Sequence, residues 1–426
     1  MAAGKPKIRR KRMIKKSILN KAVALVLTAG IMFTGCGKSG QGATKGSTAQ
    51  EASQEEVTTE ASTEAEAALQ ERVCLADAEH VKIIGHAAYE KDSLWLVTSA
   101  SGAEFTFRGT KAEITFNGDS TAVKVGGDKN SQARVAIYVN GERVADEMID
   151  DLTKTITAFE TDNEEEVTIK VVKLSEAANS TTGIKEIKVT SYEDIKPTEE
   201  KELYFRFIGD SITCGYGVDD EDKDHHFSTI TEDATKTYAY LTAENLNADC
   251  DLFSYSGFGI LSGYTADSNT INETSTVPQY YDKLGFTYGA SYKGMKPVDY
   301  DWSFEREPDV IVINLGTNDA SYTKGDAEKI SSYEELYVDF LKKVREHDKN
   351  SKIVCVLGLM GSDLMGAVEN AVQAYSEETG DSNVYTMEFD ARKSDEGLAA
   401  DWHPTYASHK RGAEKLTAYI QELLAK

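Results

Sequence analysis

Cysteine is scarce in this chain, with five in 426 residues. Cys36 stands alone near the start, and Cys74, Cys214, Cys250 and Cys355 are too widely spaced for a zinc-type site or a dense disulfide framework. Those four are expected to be buried free thiols, Cys214 among them as a packing residue. Positive charge is also short. The formal net charge is -24, and 1–35 holds nine basic residues and no acid, so the remainder stands at -24 minus nine, or -33. A body this acidic is repelled by a phosphate backbone, which excludes nucleic acid as an expected partner and suits a soluble extracellular protein. A long apolar run is missing from the leader: its apolar stretch, 22–33, falls well short of the roughly 20 residues that a spanning helix requires.

That stretch follows a basic region, so the N-terminus reads as an address. Phe33-Thr34-Gly35-Cys36 resembles a bacterial lipobox, with Phe33 departing from the usual Leu. The expectation is a lipoprotein signal over 1–36 with Cys36 bearing the lipid, a membrane partnership through that anchor, and a body on the extracellular face of the bacterial membrane. A plain secretory signal or an uncleaved anchor are the alternatives. Residues 37–71 are mostly Ser, Thr, Gly, Ala, Gln and Glu, a solvated tether without core-forming side chains.

Over 72–196 short, partly alternating apolar runs are separated by turn residues. Strands are expected at 94–97, 104–107, 113–116, 134–139 and 167–172, with hairpins at Asn117-Gly118-Asp119 and Asn140-Gly141, the pattern of an all-β sandwich. After Pro197 apolar runs alternate with helical patterns. Strands are expected at 204–208, 251–253, 310–315, 353–357 and 384–389, and helices at 238–246, 333–347, 367–378 and 407–424. Alternation of this kind predicts an α/β domain over 197–426, a parallel sheet covered on both faces as a three-layer structure. In such sheets ligands bind beyond the carboxyl ends of the strands.

The chemistry-bearing residues fall at those ends. Gly209-Asp210-Ser211 closes the first strand and offers a nucleophile, which at neutral pH requires a neighbouring base. Of the seven histidines, His403 in Asp401-Trp402-His403-Pro404 lies in a tight polar-aromatic turn ahead of the last helix, and is the candidate base. Acyl transfer also needs donors aimed at the developing oxyanion. Candidates are the Ser211 N–H, the Asn318 amide in Gly316-Thr317-Asn318-Asp319, and a backbone N–H from Ser256-Gly257-Phe258-Gly259, with Gly257 preferred and Gly259 the fallback. Trp402 is a candidate sugar platform or a brace for the histidine loop. Asp210 and Asp319 are expected to accept hydrogen bonds in turns, His225-His226 to lie in a solvated loop, and Tyr280, Tyr281 and Tyr288, in a long insertion, to wall the cleft. Nothing in this chemistry calls for a metal or a cofactor.

Gly209-Asp210-Ser211, Gly257, Gly316-Thr317-Asn318-Asp319 and His403 match in order the four blocks of the SGNH hydrolases, or GDSL esterases. Upstream, the region around 104–110 resembles the N-terminal jelly-roll domain of carbohydrate esterase family 2. The resemblance implies a two-domain, metal-free serine esterase that removes acetyl groups from polysaccharides or oligosaccharides such as xylan and glucomannan. Other acyl esters, including acetylated peptidoglycan or lipid, and a purely carbohydrate-binding role are the competing functions. The superfamily usually carries an aspartate three residues before the histidine, where this chain has Ala400. Asp401 stands two residues before it, which leaves open a triad through Asp401 or a Ser-His dyad whose histidine is held by a backbone carbonyl.

Overall fold

The computed structural model describes residues 68–123 and 129–425. The expected signal, Cys36 and nearly all of the expected tether lie outside the described residues. The strands of the N-terminal domain are β1 (Gln70–Cys74), β2 (Lys82–Ile84), β3 (Ala87–Glu90), β4 (Ser93–Leu96), β5 (Gly102–Gly118), β6 (Arg134–Val139), β7 (Glu142–Met148), β8 (Thr153–Lys173), β9 (Thr182–Ser191) and β10 (Lys196–Pro197). β1 pairs with β9 from Gln70 onward, so the last two residues of the expected tether, Gln70 and Glu71, belong to the sheet.

All ten strands are antiparallel in one hydrogen-bonded sheet, with β3-β4-β9-β5-β8-β6-β7 as its main path. The runs expected at 104–107 and 113–116 are one strand. β5 carries through both, and its register against β8 and β9 shifts between Gly109 and Lys111. Bulges of this kind bend a strand and increase its twist. Phe105 and Phe107 before the shift and Ile114 and Phe116 after it point into the same core, with Val135, Ile137, Ile169, Val171 and Ile187. The Asn140-Gly141 hairpin forms between β6 and β7, both residues in the left-handed region that a two-residue hairpin turn demands. No hairpin forms at 117–119, because β5 pairs with β8 and β9 instead of the strand that follows it. Asp119 there accepts from Thr121 N at 2.8 Å and Thr181 N at 2.7 Å, tying down two connections.

The C-terminal domain has five parallel strands, β11 (Leu203–Gly209), β12 (Ala248–Ser254), β13 (Val310–Asn314), β14 (Lys352–Leu357) and β15 (Val384–Glu388), in the order β12-β11-β13-β14-β15. Its helices are α1 (Ser211–Cys214), α2 (Tyr238–Asn245), α3 (Thr317–Thr323), α4 (Ala327–His347), α5 (Met365–Thr379) and α6 (Tyr406–Leu424). Strand residues alternate between two cores. Phe205, Phe207, Val310, Val312, Val354 and Val356 pack with Tyr238, Leu416 and Ile420 of α2 and α6. On the other face Ile208, Ile311, Ile313 and Ile353 meet Tyr337, Leu341, Val368 and Val372 of α4 and α5. This is the expected three-layer arrangement. The strand order reverses between β11 and β13, and a crevice opens at their carboxyl ends. The β domain packs against this domain through Trp95, Val97, Ala177 and Ala178, and His86 places Nδ1 2.8 Å from Asp251, itself 3.1 Å from the buried Arg206.

Candidate active site

Ser211 begins α1 directly after β11. Asp210 caps this short helix by accepting from Ile212 N at 3.0 Å, and Gly215 closes it in the left-handed conformation. As the first helical residue, Ser211 has a backbone N–H with no intrahelical acceptor. Its Oγ lies 2.8 Å from His403 Nε2.

The histidine arrives from the opposite end of the chain on a strained turn. Asp401 and Trp402 are consecutive non-glycine residues at positive φ, 48° and 67°. Such backbone costs free energy and persists only where the surroundings hold it. Here Ala400 N donates to Asp220 O at 3.1 Å and Asp401 N to His225 O at 2.9 Å. The turn brings the carbonyls of Ala400 and Asp401 to 3.1 Å each from His403 Nδ1. Both acceptors are carbonyls, so Nδ1 must carry the proton and Nε2 presents its lone pair to Ser211. Burial pulls the His403 pKa down to about 4, the two carbonyls and the Asp401 charge acting in the opposite direction.

The Asp401 carboxylate faces away from the imidazole. It accepts from Tyr216 Oη at 2.5 Å and Phe227 N at 3.1 Å, and sits 2.8 Å from His226 Nδ1. Tyr216 in turn stacks on the His403 ring, centroids 3.9 Å apart and planes 15° from parallel. Tyr216 thus links the carboxylate to the histidine by packing, a role that no local sequence pattern signalled. His225 and His226, expected in a solvated loop, are exposed, with Nδ1 2.9 Å from Asp220 and 2.8 Å from Asp401 respectively, contacts that brace the histidine turn.

The three candidate oxyanion donors, Ser211, Gly257 and Asn318, line the same space. Asn318, in the first turn of α3, holds its Nδ2 2.8 Å from Phe258 O and 3.3 Å from Asp210 Oδ2. Gly257 has φ +81°, where any side chain would be strained, and like that of Ser211 its N–H has no backbone acceptor among the described residues. The fallback Gly259 does not serve, because its N–H is donated to Ser275 O at 3.2 Å. Asp319 accepts from Ile260, Leu261 and Ser262 N–H, the closest at 2.7 Å, which fixes the loop after Gly257.

Ser211, Gly257, Asn318 and His403 line one cleft of about 680 Å³, with Tyr264, Asp363 and Trp402 on its walls. Trp402 is 57% exposed and also borders a neighbouring cleft of about 340 Å³, and Lys223 Nζ lies 4.5 Å from its ring centroid. The long insertion between β12 and β13 reaches this cleft through Tyr264, and not through the expected Tyr280, Tyr281 and Tyr288. Tyr281 is fully buried with its hydroxyl near Asp348, and Tyr280 and Tyr288 pack around Phe286 outside the cleft, because the insertion folds back onto the β domain and α4. The four described cysteines are buried and free.

Residues 206–416 match the family model described as GDSL-like Lipase/Acylhydrolase, and 85–198 match Carbohydrate esterase 2 N-terminal. The chain is 34% identical over 234 residues to a cellulase/esterase of Acetivibrio thermocellus, a match covering 54% of this chain and 26% of that protein, so it spans about a quarter of that relative's length. It is 24% identical over 300 residues to an acetylxylan esterase / glucomannan deacetylase of Cellvibrio japonicus, covering 69% of this chain and 78% of the relative. Among solved structures, a family two carbohydrate esterase from Clostridium thermocellum in complex with cellohexaose superposes with a TM-score of 0.69 at 26% identity, over 81% of this chain and 99% of that one. An acetyl xylan esterase from the rumen bacterium Butyrivibrio proteoclasticus shares the fold, with a TM-score of 0.73 at 22% identity over 84% and 99% of the two chains. A GDSL-type acylhydrolase domain behind a matching N-terminal domain, together with these relatives, places the chain in carbohydrate esterase family 2 of the SGNH hydrolases.

Proposed function

We propose that this protein is a serine esterase that removes O-acetyl groups from plant cell-wall polysaccharide or its oligosaccharides, xylan or glucomannan, through a Ser211-His403 dyad. The observation that carries the reading is the 2.8 Å contact between Ser211 Oγ and His403 Nε2 inside a cleft that Gly257 and Asn318 also line. His403 Nε2 takes the hydroxyl proton as Oγ bonds to the acetyl carbonyl carbon, and the carbonyl electron pair moves onto oxygen. The Ser211 and Gly257 N–H groups and the Asn318 amide receive that oxyanion. Collapse of the intermediate breaks the bond to the sugar oxygen, which leaves with the proton from Nε2. Water then repeats the sequence on the acetyl-enzyme, releasing acetate and restoring the serine.

The substrate class is supported by the relatives named for acetylxylan and glucomannan and by the exposed Trp402 and Tyr264 at an open cleft, aromatic faces suited to a pyranose ring. We read the β domain as a jelly roll, and residues 1–36 as a leader whose Cys36 carries lipid and holds the enzyme outside the cell on the tether that follows. The test measures acetate release from acetylated xylan, glucomannan, peptidoglycan and p-nitrophenyl acetate. Wild type is expected to favour the plant polysaccharides and Ser211→Ala to be inactive on all. Persistent activity in Ser211→Ala overturns the mechanism, and preference for peptidoglycan overturns the substrate.

A further inference from the structure

Beneath the nucleophile lies a sealed group of charged side chains that the reaction scheme does not use. Lys173, at the end of β8, is fully buried, as is Glu232, and Glu176 is 1% exposed. Lys173 Nζ donates to Ser175 O at 2.5 Å and to Glu176 O at 3.0 Å, and Glu232 Oε2 accepts from Glu176 N at 2.9 Å. Glu176 belongs to the connection 174–181 of the β domain, yet its carboxylate reaches into the catalytic domain. Its Oε2 accepts from Ser256 N at 2.7 Å and lies 3.5 Å from Cys214 Sγ. Ser256 immediately precedes Gly257, and Cys214 closes the helix that Ser211 opens.

We propose that Glu176, supplied by the β domain, is a positioning residue of the oxyanion hole: one buried carboxylate oxygen pins the Ser256-Gly257 turn against the Ser211–Cys214 helix, so that their two N–H groups stay aimed at one point. This rests on the serine-esterase reading above. The first argument is geometric. Gly257 at φ +81° has nothing within 4 Å of where a Cβ would sit, so no side chain packs on it; its carbonyl accepts from Tyr264 N at 2.7 Å, and on its amino side the bond from Ser256 N to Glu176 is the anchor. The second argument is energetic. Two carboxyl groups and an ammonium held out of water carry a desolvation penalty, and apolar residues of the same volume would usually serve stability as well or better. A cluster kept at that cost beside a reacting centre is accounted for by the alignment it provides. Lys173 supplies a compensating charge, and burial raises both the Glu176 and the Glu232 carboxyl above the usual range. The β domain, on this inference, completes the active site as well as packing beside it.

The test compares Glu176→Gln, which keeps an oxygen acceptor for Ser256 N–H, with Glu176→Met, which keeps the volume and removes it. Both are assayed in the full chain with p-nitrophenyl acetate, alongside Ser211→Ala. Misdirecting one donor of an oxyanion hole costs on the order of 100-fold or more. The methionine variant is therefore expected to lose about 100-fold in kcat with KM within about threefold, and to bind a boronic acid that mimics the tetrahedral adduct correspondingly more weakly. The glutamine variant is expected within about tenfold of wild type. Equal kcat in the two variants, or a loss confined to KM, overturns the inference. If Glu176→Met does not fold, Lys173→Met/Glu176→Met against Lys173→Met/Glu176→Gln makes the same comparison in a core without the unpaired ammonium, with the same deciding outcomes. Activity surviving in Ser211→Ala would instead sink the esterase mechanism itself, so the two failures are told apart.

Discussion

Asp401→Asn separates a dyad from a triad without disturbing the backbone, because asparagine tolerates the left-handed conformation that Asp401 adopts at φ 48°. Where an aspartate orients a catalytic imidazole, its replacement by asparagine lowers kcat by about 10,000-fold, or about 5.5 kcal/mol of transition-state stabilisation. Here the groups on His403 Nδ1 are the carbonyls of Ala400 and Asp401, which the substitution leaves in place. What it removes is the charge that accepts from Tyr216 and Phe227. Hydrogen bonds to a charged group contribute about 1.5–3 kcal/mol each, and the 32% exposure of this side chain reduces that to about 1–2 kcal/mol for the set. The expected result is a kcat within about tenfold of wild type, from a small loosening of Tyr216 against the histidine ring, together with a lowered melting temperature. Initial rates on p-nitrophenyl acetate at pH 7 and a thermal unfolding curve measure the two. A loss of about 1,000-fold or more in kcat at unchanged melting temperature would refute the dyad.

Asn318→Ala removes the proposed oxyanion donor and should reduce kcat about 100-fold to 1,000-fold with little change in KM, and a loss expressed mainly in KM would assign Asn318 to substrate binding. The acid limb of kcat/KM should report His403. Its pKa is depressed to about 4 by burial, so the base stays neutral as the pH falls from 7 through 5, and activity is lost on protonation near pH 4. A limb centred at about 6.5 or above would show that the imidazole is solvated in the working enzyme.

The α/β domain was legible from sequence because its strands are short continuous apolar runs, buried on both faces, between amphipathic helices. The five expected strands and four long helices match β11 to β15 and α2, α4, α5 and α6 to within a few residues at most ends. The α4 start is the exception: the expectation began at 333, well after the observed Ala327, since the first turns of that helix are polar and set by the Asp326 cap. The β domain was less legible. Gly109 is the one mark of the bulge at 109–111, and a glycine there reads equally as a break between two strands, while a turn-like Asn-Gly pair at 117–118 looks the same whether or not the chain reverses there.

The sequence alone determined which residues line the candidate active site. A glycine, an acid and a serine at one strand end, an asparagine at the end of the neighbouring strand and a histidine ahead of the last helix are local patterns, and parallel-sheet topology sends strand ends to one edge. Tertiary structure decided which of these groups touch. Two residues at positive φ turn the Asp401 carboxylate toward Tyr216 and bring main-chain carbonyls to His403, and no residue type near Ala400 encodes that rotation. Glu176 belongs to the other domain, so its contact with Ser256 exists only because the two domains pack together. Local periodicity records which face of an element is buried; it holds no record of which distant carboxylate will be buried against it.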